Sequence, residues 1–180
     1  MEIDGLLVFV PFGAPLSLAN LAAGAGVASG VIDLTGAGVG TPTPNIIGTR
    51  SVFGADNGIG RQKPQVLCTT GTAFATGSAA TLNIQMQAAV DQGAGGGYQP
   101  GTWNTLVETG YMSAANLGAA KTVARFDWPP TFPFGTLPRY VRLFFQILTG
   151  TTFTAGTIAF AMPTTARDEV IFGAKNFLVV

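Results

Sequence analysis

Between residues 81 and 90 apolar and polar side chains alternate in step, with Leu82, Ile84, Met86 and Ala88 against Asn83, Gln85 and Gln87. A period of two belongs to a strand, whose successive side chains point to opposite faces. One apolar row and one polar row mark a strand with one face in a core and one outside it, as in antiparallel sheets. Helical periodicity is hard to find anywhere in the chain, whereas β-branched residues and turn dipeptides recur throughout.

The same signals predict strands over residues 27–35, 64–73, 103–109, 122–128, 139–149, 157–162 and 169–180. Asp56-Asn57-Gly58 reads as a tight turn, since Asn and Gly accept positive φ at little steric cost. The glycines of residues 93–97, followed by Gln99-Pro100, read as a loop. About eight short strands in a chain of 180 residues predict one all-β domain, a β-sandwich or jelly roll. It spans residues 1–180 with apolar extensions at 1–20 and 168–180, and residues 41–61 read as an excursion from it.

Two regions carry more apolar surface than a core requires. Over residues 139–148 one face holds Val141, Leu143, Phe145 and Ile147, and the other holds Tyr140, Arg142, Phe144, Gln146 and Leu148. That second face is too apolar to be simply solvated. Either a loop or terminus covers it, or it is a subunit interface, where aromatics and Arg are enriched. Residues 6–12 (LLVFVPF) and 176–180 (NFLVV) are apolar where chains usually fray. Each completes the sheet of its own subunit or reaches across a neighbour by β-augmentation. The candidate interface residues are therefore Phe9, Phe12, Tyr140, Arg142, Phe144 and Phe177.

Charged residues make up 10% of the chain, against about 25% in an average soluble protein. Such a surface resists aggregation poorly when free and suits a protein that spends its life docked. Nine basic residues balance nine acidic ones, so there is no electrostatic footprint for nucleic acid. The uncharged residues 5–32 are long enough to suggest a membrane span. Pro11, Gly13, Pro15, Asn20, Gly24 and Gly26 interrupt them, and acidic Glu2 and Asp4 precede them in place of a positive flank. No membrane partner is expected.

With no histidine and Cys68 as the one cysteine, disulfides, His or Cys metal cages and imidazole triads are excluded. The carboxylates Asp33, Asp56, Asp91, Glu108, Asp127, Asp168 and Glu169 fall in no recognisable catalytic spacing. Asp56-x-Gly58-x-Gly60 lacks the later ligands of a calcium loop and the ending of a phosphate loop. A non-enzymatic protein without cofactor or small-molecule substrate is expected. Trp103, Trp128, Tyr98 and Tyr111 are either a sugar-stacking platform or core and interface anchors. Trp128-Pro129-Pro130 with Phe132-Pro133-Phe134 reads as a stiff loop presenting aromatics to a partner.

Two stretches resemble a known family. Ser29-Gly30-Val31-Ile32-Asp33-Leu34, and Arg139-Tyr140-Val141-Arg142-Leu143 followed by Gly150 and Phe153-Thr154-Ala155-Gly156-Thr157, are similar to the Bbp16-like capsid cement proteins typified by that of a Bordetella phage. The likeness is firmest over residues 136–162. It implies a jelly roll that forms a homo-oligomer, a dimer or trimer. Such a protein lies on the outer surface of an HK97-type virion, where its partner is the major capsid protein. The alternatives are a tail-associated carbohydrate-binding adhesin and a jelly-roll major capsid protein. The region 41–61 and the extension 168–180 look longer than the family core requires.

Overall fold

The computed structural model describes residues 8–22, 24–34, 64–77, 79–92, 99–127, 138–148 and 152–165. The predicted turn at Asp56, the glycine loop, the 41–61 excursion, the Trp128 to Phe134 loop, Tyr98 and the strand at 169–180 lie outside them, and Phe177 with it.

The described strands, in chain order, are β1 (Leu16–Ser17), β2 (Gly26–Ala28), β3 (Ile32–Asp33), β4 (Pro64–Thr70), β5 (Thr81–Ala89), β6 (Asn104–Glu108), β7 (Met112–Ser113), β8 (Thr122–Asp127), β9 (Tyr140–Ile147) and β10 (Thr157–Thr165). One sheet has the order β1-β10-β4-β8 and the other β2-β9-β5-β6, with β3 also on β9 and β7 also on β5. All strand pairs are antiparallel. Counting β2 with β3 and β6 with β7 as interrupted single strands leaves eight. They are divided between the sheets in the order of a jelly roll, with β5 and β6 the one consecutive pair in the same sheet, so the all-β sandwich expected from the strand count is the fold.

The inward rows are those the alternation gave. Leu82, Ile84, Met86 and Ala88 of β5 lie beside Val141, Leu143, Phe145 and Ile147 of β9. Across the sandwich they share one cluster with Val66 and Cys68 of β4, Ala124 and Phe126 of β8, and Ile158 and Ala161 of β10. Each large side chain so buried contributes about 1.5–3 kcal/mol, which is how a chain with few charged residues holds together. Burial also pushes the Cys68 thiol up from its ordinary 9.0 to about 12, because the thiolate has no water to solvate it.

Both edges of the second sheet are broken by a bulge, and a hydroxyl repairs each break. Ala28 pairs with Phe144 and Ile32 with Val141, so one residue too many lies between β2 and β3. There the Ser29 N–H donates to the Leu143 carbonyl (2.9 Å), and the Leu143 N–H donates to Ser29 Oγ (2.9 Å). On the opposite edge the Thr109 N–H donates to the Ile84 carbonyl (3.0 Å), and the Ile84 N–H donates to Thr109 Oγ1 (3.1 Å). Gly110, with φ of +72°, lets the chain turn back into β7.

The N-terminal segment closes the sandwich along one side. Phe9 and Val10 donate to the Ala161 carbonyl (2.9 and 3.0 Å), while the Gly30 N–H donates to the Phe9 carbonyl (2.9 Å). Residues 9 and 10 thus bridge the two sheets with their own backbone, and their side chains are buried in the core. Of the two roles open to the apolar terminus, this part completes its own subunit. Phe9 is accordingly withdrawn from the candidate interface, because its ring is spent on the core.

Candidate interaction face

The outward row of β5 meets the outward row of β9 in a continuous polar network. Register places Gln87 opposite Arg142, Gln85 opposite Phe144 and Asn83 opposite Gln146. Arg142 Nε donates to Gln87 Oε1 (2.9 Å), and Gln87 Nε2 donates to Gln85 Oε1 (2.9 Å). Gln85 Nε2 in turn reaches Gln146 Oε1 (3.2 Å) and Glu108 Oε2 (3.2 Å), and Asn83 Nδ2 donates to the same Glu108 oxygen (2.7 Å). Asn83 and Gln87 are buried although they face away from the core. The amides hold one another in place and leave few groups free for a ligand.

Aromatic rings stand over this network. The Arg142 guanidinium lies 4.1 Å from the centroid of the Trp103 ring and 5.3 Å from that of Phe144. The Phe144 ring fits over Gly26, where an added Cβ would lie 2.2 Å from it. Tyr111, half exposed, sets its hydroxyl 3.5 Å from Gln146 Oε1. Arg142 and Phe144 are themselves half-buried, and desolvation lowers the Arg142 pKa from its ordinary value. Neither Arg142 nor Glu108 meets an opposite charge among the described residues.

One turn of chain earlier the electrostatics are reversed. Arg139 donates from Nε and Nη2 to the two oxygens of Asp33 (3.0 and 2.9 Å) and from Nη1 to Asp91 (2.7 Å). Hydrogen bonding to Asp33, foremost, raises the Arg139 pKa above its ordinary value against the opposing effect of burial. The clamp ties β3 to the segment leading into β9 and the segment leaving β5. Asp33 and Asp91 were legible only as isolated carboxylates, because nothing in the spacing says that both converge on one guanidinium. Among the described residues no three of His, Cys, Asp and Glu gather as a metal site.

The remaining candidates divide. Tyr140, on the outward row, is wholly buried and has the Arg139 guanidinium 5.1 Å from its ring centroid, so it is not available to a partner as the sequence led us to expect. Phe12 is 80% exposed and stacks on Phe160 of the other sheet at 5.3 Å, away from the Arg142 face. Trp103, read from the sequence as a sugar-stacking ring or a core or interface anchor, lies against Arg142; only the strand register brings them together. No helix among the described residues is long and apolar enough to cross a membrane. In comparisons with protein-family models and with curated proteins, nothing matches this chain.

Proposed function

We propose that the chain is a structural virion protein, a capsid cement subunit. It docks as a homo-oligomer on the outer surface of an HK97-type head and strengthens contacts between major capsid proteins. Its main support is where the likeness to the cement proteins falls in this fold. Ser29 repairs the bulge in one sheet edge, and Gly30 takes the N-terminal segment at a distance where a Cβ would sit 3.2 Å from the Phe9 oxygen. Asp33 and Arg139 form the clamp. Phe153 packs edge-on against Phe74 (4.9 Å), Gly156 passes that ring with φ of +143°, and Thr157 Oγ1 accepts the Thr72 N–H (2.8 Å). These are the joints of the sandwich rather than interchangeable apolar letters of a strand, so agreement at them weighs more.

Physics supports the same role. A cement subunit works by adding buried area across seams between capsid proteins, at about 25 cal/mol per Å² before association costs. An oligomer touching several capsid subunits gains further by avidity. The Trp103, Arg142 and Phe144 face supplies aromatic and arginine anchors in the partly desolvated setting that makes interface hot spots. A sugar-binding adhesin would stack its ligand on an aromatic face, and Arg142 leaves Trp103 one face for that.

Electron cryo-microscopy of the particle that carries this chain is the test. Density for the sandwich bridging neighbouring HK97-type subunits on the outer surface is expected. Density on the tail, or a shell built of this chain alone, would replace the cement role with the adhesin or the major capsid protein.

A further inference from the structure

We infer that Arg142 is the receptor for a carboxylate carried by the partner protein, an Asp or Glu side chain flanked by an apolar residue. The inference rests on the docking role proposed above and names the chemistry of what docks. Arg142 is a half-buried cation without a carboxylate among the described residues, whereas Arg139, just ahead of the strand, has two. Only its Nε is engaged, by Gln87, which fixes the plane of the guanidinium and leaves both Nη groups without a hydrogen bond among the described residues. Trp103 and Phe144 hold that plane from the side. A guanidinium so oriented presents a two-pronged donor edge, the geometry that a carboxylate matches with two parallel hydrogen bonds.

The surroundings select among anions. Glu108 lies on the same face, tied to Asn83 and Gln85, and its charge disfavours a dianionic phosphate more than a single carboxylate. The amides are turned toward one another, and one face of Trp103 is covered, so the ring and hydroxyls of a sugar acid find little to bind. Phe144 beside Arg142 and half-exposed Tyr111 and Leu148 farther along offer apolar contact to a protein segment. Desolvation already disfavours the Arg142 charge, and an arriving carboxylate relieves that cost as it docks.

The test uses the full-length chain and two probes, N-acetyl-Phe-Asp-amide and its neutral counterpart N-acetyl-Phe-Asn-amide. NMR follows the Arg142 Nε–H and Trp103 indole N–H signals. A saturable shift at millimolar acidic probe is expected, with binding of the neutral probe about tenfold weaker. Arg142→Gln should abolish the response and Arg142→Lys should retain part of it, with circular dichroism showing both variants folded. Equal response to both probes, or an undiminished response in Arg142→Gln, overturns the inference. So does a dimer in sedimentation that Glu108→Gln splits, since the carboxylate would then belong to a second copy. A positive titration with a chain that fails to attach to particles sinks only the cement role. Attachment that survives Arg142→Glu, together with a negative titration, sinks only the carboxylate receptor.

Discussion

Arg139, the residue just before β9, and Arg142, three residues on and within it, are treated by the fold in opposite ways. Arg139 donates from all three of its guanidinium nitrogens to Asp33 and Asp91, and those bonds lift its pKa. Arg142 receives one amide oxygen and two aromatic rings, and burial lowers its pKa. One guanidinium is an internal clamp; the other, packed against two rings, meets no opposite charge among the described residues. Stability of the described sandwich gives no reason to half-bury a cation that meets no counter-ion among the described residues, because desolvation is a cost that rings and a neutral amide offset only in part. The difference separates what holds the fold from what the fold holds out.

The largest effect should come from breaking the clamp. Arg139→Gln removes the two guanidinium hydrogen bonds that Asp33, 3% exposed, accepts. A loss of about 3–5 kcal/mol is expected, read as a fall in the urea midpoint at unchanged slope. A loss below about 1 kcal/mol would mean that the two arginines do not differ as described.

The clamp also shows where sequence reasoning stops. The period of two in residues 81–90 and 139–148 assigned both faces of β5 and β9 correctly, because alternation is a property of one strand alone. Jelly-roll pairing instead depends on register between strands about 55 residues apart, as for Gln87 and Arg142, and no local pattern encodes it. The partners of Arg139 and the contact of Trp103 with Arg142 were therefore invisible. β1 and β7, of two residues each, were too short to show a period. Tyr140 was assigned to the right face and the wrong environment, since alternation says which way a side chain points and not what covers it.

Glycines sharpen the same contrast between core and face. At Gly156 an added Cβ would meet the Phe74 ring at 2.4 Å with φ of +143°, in a core where that ring is locked against Phe153. Gly156→Ala should cost about 2–4 kcal/mol by thermal or urea unfolding. At Gly26 the colliding atoms belong to half-buried Phe144, which can swing outward. Gly26→Ala should cost less than about 1 kcal/mol while shifting the Arg142 and Trp103 NMR signals, since the ring it moves is part of their stack.

Cys68 probes the core alone. Its folded pKa of about 12 lies above the 9.0 of a free thiol, so the unfolded state releases its proton first. The stability it contributes is fully present below pH 9 and is lost as pH rises toward 12, by about 1.4 kcal/mol per unit. Relative to Cys68→Ala, the chain should lose stability at about that slope from pH 9 upward, and iodoacetamide should label it only as fast as it unfolds. Rapid labelling of the native chain would mean that the two sheets part more readily than their shared core implies.

The smallest expected effect on stability is the most informative. Arg142→Gln keeps a hydrogen-bond donor near Gln87 and removes a desolvated charge, so the unfolding free energy should change by less than about 1 kcal/mol in either direction. A loss as large as that of Arg139→Gln would make Arg142 a second structural clamp, acting through Trp103 and Gln87, and would remove the reason for assigning it to a partner. A neutral or slightly stabilising result would mean that the isolated chain gains nothing from the charge, which leaves the docked state as the place where it acts.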